Sequence, residues 1–246
     1  MEVNRAKFYS IVYAVTMESH DRSGIGTYKE KKLHIILKKY FEENAAYHEI
    51  PANGFIADIL HGSVITEIET AGFSGLKPKL AAYLPDYRVN LVHPLIGKKT
   101  VSWIDPETGS ISAAKRSPKK EGAYDLLFEA VRILPYVNHP NLTLLGPVLE
   151  ADEYRMLDGW SRDKKRGSHR FERVPSDLLD MIELGCDDDY RRLIPDGCGE
   201  SFGTADFAAR AGIGQETARA VLKVMEARGV VRFLGKEGRR HLWGRV

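Results

Sequence analysis

The sequence predicts an α/β fold: a mixed sheet flanked by helices, followed by a smaller module of helices and a terminal hairpin. Two observations predict it. Apolar residues alternate between helical and strand spacing through the N-terminal part, in the order helix, strand, hairpin partner, helix, strand. A polar, basic stretch, Asp158 to Arg173 (DGWSRDKKRGSHRFER), then interrupts the pattern, and short helices with a closing hairpin follow it. On these grounds the chain divides into a domain at residues 1–160, a basic linker with a connecting helix at 161–186, and a C-terminal domain at 187–246.

Phe8 to Met17 is apolar but broken by Tyr9, Ser10, Tyr13 and Thr16, with no small-residue cleavage site behind it. It reads as a packed strand or helix, not a signal peptide. From Tyr28 to about Glu43, Leu33, Ile36, Leu37, Tyr40 and Phe41 recur at helical spacing with lysines on the other face. Gly54 to Leu60 (GFIADIL) and Ser63 to Thr70 (SVITEIET) read as strands joined by a tight turn at His61-Gly62. A short helix follows over about Ser74 to Leu84, limited by Pro78, and Tyr87 to His93 reads as a buried strand. Val101 to Asp105 with Ile111 to Ala114 suggests an added hairpin; Ala123 to Val137 reads as an amphipathic helix, and Leu142 to Tyr154 as strand.

Composition narrows the function classes. Of 246 residues, 43% are hydrophobic and 28% charged, enough to bury a core without disulfides or structural metals. Cys186 and Cys198 read as free thiols in a reducing cytosol. No run approaches the roughly 20 apolar residues that span a bilayer, so a cytoplasmic location and no membrane partner are expected. No GxxxxGK[ST], GxSxG or HExxH occurs, and Gly24-Ile25-Gly26 is too short for a phosphate loop. Net charge is only +2, but Arg162, Lys164, Lys165, Arg166, Arg170 and Arg173 cluster, which suits phosphate binding and equally a solvated face.

Three carboxylates stand out. Glu67 and Glu69 lie two apart on one strand and therefore share a face, and the hairpin brings Asp58 toward them. Converging acids repel unless a divalent cation joins them, and Mg²⁺ prefers such hard oxygen ligands. The same acids would also serve simply to keep a sheet edge soluble. Glu30, His34 and Lys38, four apart, lie on one face of the preceding helix.

These residues resemble the PD-(D/E)xK nuclease superfamily: a helix, a strand bearing Asp58 (IADIL), a strand bearing Glu67-Ile68-Glu69 (ITEIET), then helix and strand. The spacing of Glu30, His34 and Lys38 is similar to the helix of CoiA-like nuclease domains. The resemblance covers about residues 28–94 and implies a restriction-endonuclease-like fold over 1–160. It implies that Asp58, Glu67 and Glu30 hold Mg²⁺ or Mn²⁺, with the third motif position helping to activate water. Glu69 stands where the family usually has lysine; Lys77 or Lys79 from the following helix would supply the missing charge. A DNA substrate is implied, and a homodimer is compatible, since such nucleases often pair sites to cut both strands.

The C-terminal stretch carries a second resemblance. Thr204 to Ala211 is a helix ending at Gly212, Ile213-Gly214 turns, and Gln215 to Arg228 is a longer helix stopped by Gly229. Val230 to Leu234 and His241 to Trp243 then form a hairpin around a basic tip. The arrangement resembles a winged helix-turn-helix. It implies DNA contact through Gln215, Thr217, Arg219 and Lys223 on the second helix, and through Arg239 and Arg240 on the wing. Glu216 and Glu226 oppose strong electrostatic binding there. The alternatives to a DNA nuclease are a non-catalytic DNA-binding regulator or assembly factor with an inactive nuclease-like domain, and a protein-docking scaffold.

Overall fold

The computed structural model describes residues 3–18, 29–160 and 166–246. Along the chain run α1 (Arg5–Glu18), α2 (Lys29–Phe41), β1 (His48–Ala52), β2 (Phe55–His61) and β3 (Val64–Ile68). Next come α3 (Lys77–Tyr83), β4 (Arg88–Val92), β5 (Leu95–Ile104), β6 (Lys115–Arg116), α4 (Ala123–Ala130) and β7 (Leu142–Trp160). The rest comprises β8 (Arg166–Leu184), α5 (Asp187–Arg191), β9 (Ser201–Gly203), α6 (Thr204–Ala211), α7 (Gln215–Ala227), β10 (Val231–Glu237) and β11 (Arg240–Arg245). The class is mixed α/β, as the sequence predicts. Among the described residues no helix is long and apolar enough to cross a membrane.

Two compact units share these elements: Met1–Ala46, Pro94–Glu121 and Pro147–Met181 form the first, and Tyr47–His93, Gly122–Gly146 and Ile182–Val246 the second. This division departs from the boundaries expected at 160 and 187, because each unit is assembled from three separated stretches of chain.

In the first unit α1 lays Phe8, Val12 and Val15 against α2, where Leu33, Ile36 and Leu37 are buried. Phe8 meets Tyr40 edge to face at 5.7 Å. β5 runs parallel to the later part of β7, with β6 antiparallel on its other side, and β8 pairs with β7. Gly97 in β5 is required by packing: a Cβ there would lie 2.5 Å from Val148 Cγ1.

In the second unit β1, β2 and β3 form an antiparallel meander, β4 joins β3 in parallel, and the start of β7 joins β4 in parallel. β3 is therefore an interior strand, not an edge, and Ile65, Thr66, Glu67 and Ile68 are all buried. β1 is not legible in the sequence pattern because Pro51 interrupts it; an edge position tolerates the missing N–H. The helix expected over Ala123 to Val137 is α only to Ala130, where a 3₁₀ stretch containing Pro135 replaces it.

The same unit holds the C-terminal elements. α7 buries Ala218, Val221, Leu222, Val224 and Met225 and packs on α4. Arg228, 8% exposed, anchors it: Nε donates to Asp187 (2.8 Å), Nη1 to the Val137 carbonyl (3.1 Å) and Nη2 to the Gly185 carbonyl (2.9 Å). β10, β11 and β9 form a separate three-stranded antiparallel sheet.

The linker and connecting helix expected at 161–186 need correction. Residues 161–165 lie outside the described residues, but 166–184 is the strand β8. Its charges hide its period because they are spent on partners far away in sequence: Glu172 meets Lys32 Nζ (2.8 Å), Arg173 meets Glu153 (2.8 Å), and Asp177 is paired with Arg5.

Candidate functional site

The β2–β3 hairpin turns at Gly62, whose φ of 60° is the left-handed conformation that glycine adopts freely. The register pairs His61 with Val64, Leu60 with Ile65 and Ile59 with Thr66. Carried one step further, it sets Asp58 opposite Glu67 on the same face of the sheet. Asp58 Oδ2 accepts a hydrogen bond from the Ile68 N–H at 2.8 Å, which holds its carboxylate at this end of β3.

α3 follows, with Pro78 in its first turn. Its Lys79 donates to Glu67 Oε2 at 2.8 Å and to the Ile56 carbonyl at 3.1 Å. Lys77 is exposed. Of the two lysines considered for the missing positive charge, Lys79 is the one brought to the acids.

Glu67 is 1% exposed, and its Oε1 has no hydrogen-bond partner. Burial pushes its carboxyl up to about 7; Lys79 pulls against that shift and the charge of Asp58 adds to it. Tyr83, one turn beyond Lys79 on α3, is fully buried and its Oη is likewise unpartnered. Its phenol is raised well above 10, chiefly by burial and then by the charge of Glu67. A buried carboxylate and a buried phenol thus each retain unused hydrogen-bonding capacity beside one another. Sequence reasoning missed Tyr83, because it occupies an apolar position of a short helix and looks like core.

Glu69 lies one residue beyond β3 and continues the pairing through its main chain: its N–H donates to the Val92 carbonyl at 2.9 Å, and its own carbonyl lies 2.6 Å from His93 Nδ1. Its main chain extends the sheet, and Lys79 holds the charged position beside Glu67. Glu30, His34 and Lys38 lie on α2, in the first unit, whereas Asp58, Glu67, Glu69 and Lys79 belong to the second. The side chain of Glu30 lies outside the described residues. Among the described residues no group of three or more His, Cys, Asp or Glu side chains that could hold a metal ion is found.

A second candidate surface lies on α6, α7 and the β10–β11 hairpin. Gly212, at φ 66°, ends α6 and lets the chain turn into α7. Gln215, Arg219 and Lys223, four apart, are exposed along α7, and Thr217 is half-buried. Arg239 is exposed at the hairpin tip; the hairpin strands are longer than expected and leave only Gly238-Arg239 between them. Arg240 is also exposed but pairs with Asp206 at 2.9 Å.

Residues 31–185 match the family described as "Domain of unknown function (DUF8091)". The chain belongs to the DUF8091 family. The DUF8091 match takes in the Asp58–Glu67–Lys79 cluster and ends before α5, so α6, α7 and the terminal hairpin lie outside it. An uncharacterized protein of Treponema pallidum (strain Nichols) is 25% identical over 168 residues, which is 68% of this chain and 64% of that relative. The chain therefore spans less than two thirds of the length of that relative. No solved structure matches.

Proposed function

We propose that this DUF8091 protein is a metal-dependent DNA nuclease whose C-terminal module acts as a winged-helix DNA-binding element. The observation that carries the reading is the cluster of Asp58, Glu67 and Lys79: a carboxylate opposite a buried carboxylate, with an ammonium 2.8 Å from the latter. The order of elements supports it. A helix precedes the Asp-bearing strand, the Glu-bearing strand follows as its hairpin partner, and a helix then leads to a strand parallel to the second.

The residues fit a divalent cation. Glu67 Oε1 is a buried acceptor with no donor, and the carboxylate of Asp58 faces the same side. Two carboxylates suit Mg²⁺ or Mn²⁺, which keeps several waters and takes further oxygens from a phosphate. When bound, the cation supplies a Lewis acid for the scissile phosphate and a more acidic water. Asp58 and Glu67 would hold it. Lys79 pairs with Glu67 and would supply the positive charge that the family's lysine carries at the position of Glu69. The phenol of Tyr83 lies close enough to Glu67 to be raised by its charge. On the C-terminal module, Arg219, Lys223 and Arg239 would meet phosphates, with Gln215 and Thr217 at the start of the helix that reads the groove.

The test is cleavage of plasmid, linear duplex, single-stranded and branched DNA with Mg²⁺ or Mn²⁺ and with chelator. Metal-dependent cleavage should be lost in Asp58→Ala and fall strongly in Lys79→Ala, while Lys77→Ala keeps it. If nothing is cleaved while Arg239→Ala still weakens DNA binding, the protein is a non-catalytic DNA-binding regulator or assembly factor. The proton affinity of Glu67 favours that second reading, since a carboxyl raised to about 7 is a weaker ligand at neutral pH.

A further inference from the structure

The first unit carries a charge asymmetry that the proposed nuclease does not use. Strand alternation and register divide the charged residues of β5, β6 and β7 into two sets. On one face Lys98 and Arg116 are set against Glu150 and Asp152, and the charges balance. On the other face Lys99, Lys115 and Arg155 are joined by Arg173 from β8, and among the described residues of β5, β6 and β7 Glu153 alone opposes them.

Glu153 is 2% exposed and serves three cations at once. Arg173 Nη2 lies 2.8 Å from its Oε2, Lys99 Nζ 3.3 Å from the same oxygen, and Arg155 Nη1 3.0 Å from Oε1. One carboxylate cannot neutralise three cations. The remaining positive charge stays half-buried, where screening by water is weak. Glu121 is the other nearby acid and acts on Arg173, but Lys119 pairs with it at 3.1 Å. The geometry is also rigid. Arg155 is fixed by Ser168, whose Oγ accepts from Nε and whose carbonyl accepts from Nη2, both at 2.9 Å. Trp103 lies in register with Arg155, and Lys115 Nζ sits 5.9 Å from its ring centre.

A held guanidinium, two ammonium groups with donors to spare and an aromatic ring on one sheet face match a chain of phosphates carrying bases. We infer that this face, centred on Lys99, Arg155 and Arg173 with Lys115 over Trp103, binds the phosphodiester backbone of a nucleic acid strand. It is a second contact surface, separate in the chain from α7 and the terminal hairpin.

The test uses the full chain in EDTA, so that no cleavage occurs, with fluorescein-labelled 20-nucleotide single strand and the matching duplex. Affinity is measured by anisotropy from about 50 to 200 mM salt, the range over which backbone contacts weaken. Lys99→Gln with Lys115→Gln should lower affinity and flatten the plot of log affinity against log salt, by about 1.4 for single strand or about 1.8 for duplex if two phosphate contacts go. Lys115→Gln alone touches no buried carboxylate and should flatten it by about half as much. Arg239→Gln is measured alongside. If its effect appears and the Lys115→Gln slope equals wild type, the surface proposed here is refuted while the hairpin reading survives. The opposite pattern supports this surface and removes the hairpin. Binding of polyglutamate as tight as of DNA, with the same loss in Lys115→Gln, would also overturn the assignment to nucleic acid.

Discussion

Replacing Glu67 by glutamine keeps the shape and the acceptor for Lys79 but removes the ionisable group. In the folded protein the carboxyl is raised from 4.5 to about 7, with burial as the leading cause. The fold therefore binds this proton more tightly than the unfolded chain does. Stability from this group is present in full below 4.5 and is lost as pH rises to about 7. At ~1.4 kcal/mol for each tenfold change in proton affinity, the loss is about 3 kcal/mol. Glu67→Gln should escape it. Urea unfolding in EDTA between pH 4 and about 8.5 would give two curves whose difference reports this residue together with its coupling to Asp58 and Lys79. The variant should match wild type near pH 4 and exceed it by about 3 kcal/mol at pH 8. A difference that does not change with pH, or a wild type more stable at pH 8, would refute the reasoning. Adding Mg²⁺ extends the test. At about 100 times its dissociation constant it should restore about 2.7 kcal/mol to wild type at pH 8 and little to Glu67→Gln.

Three further outcomes follow from packing and charge. Arg228→Met strips donors from the Val137 and Gly185 carbonyls and a partner from Asp187; urea unfolding should show a loss of about 3 kcal/mol. Burial pushes Glu153 up, but Arg173 and Lys99 outweigh it and hold the carboxyl below its usual 4.5. Its contribution is present above 4.5 and disappears as pH falls through the folded value, so Glu153→Gln should flatten the acid side of a melting-temperature profile. Gly97→Ala places a methyl 2.5 Å from Val148 Cγ1, and calorimetry should show a destabilisation of about 1–3 kcal/mol.

Much of the candidate site can be read along the chain. Local periodicity located α2, the β2–β3 pair, α3 and β4, because their apolar residues recur at the spacing of the element itself. Strand alternation placed Glu67 on a defined face, and turn chemistry at His61-Gly62 brought Asp58 opposite it. What local pattern could not decide was which faces are covered. β3 has neighbours on both sides, so Glu67 is a deeply buried acid rather than a surface one. Choosing Lys79 over Lys77 depends on how α3 packs, and Tyr83 enters the site only through that packing. β8 was hidden for a related reason. Its residues satisfy partners on α1, α2 and β7, so polarity there is not exposure.

The sequence by itself determined the α/β class, the hairpin that carries the acids and the helix–turn–helix with its terminal hairpin, since each follows from contacts within a few residues. The tertiary structure decided the rest: three separated stretches assembled into each unit, a proton affinity of Glu67 set by burial, and a basic face in which one acid serves three cations. Charge and burial are properties of neighbours in space. Here those neighbours come from stretches far apart in the chain.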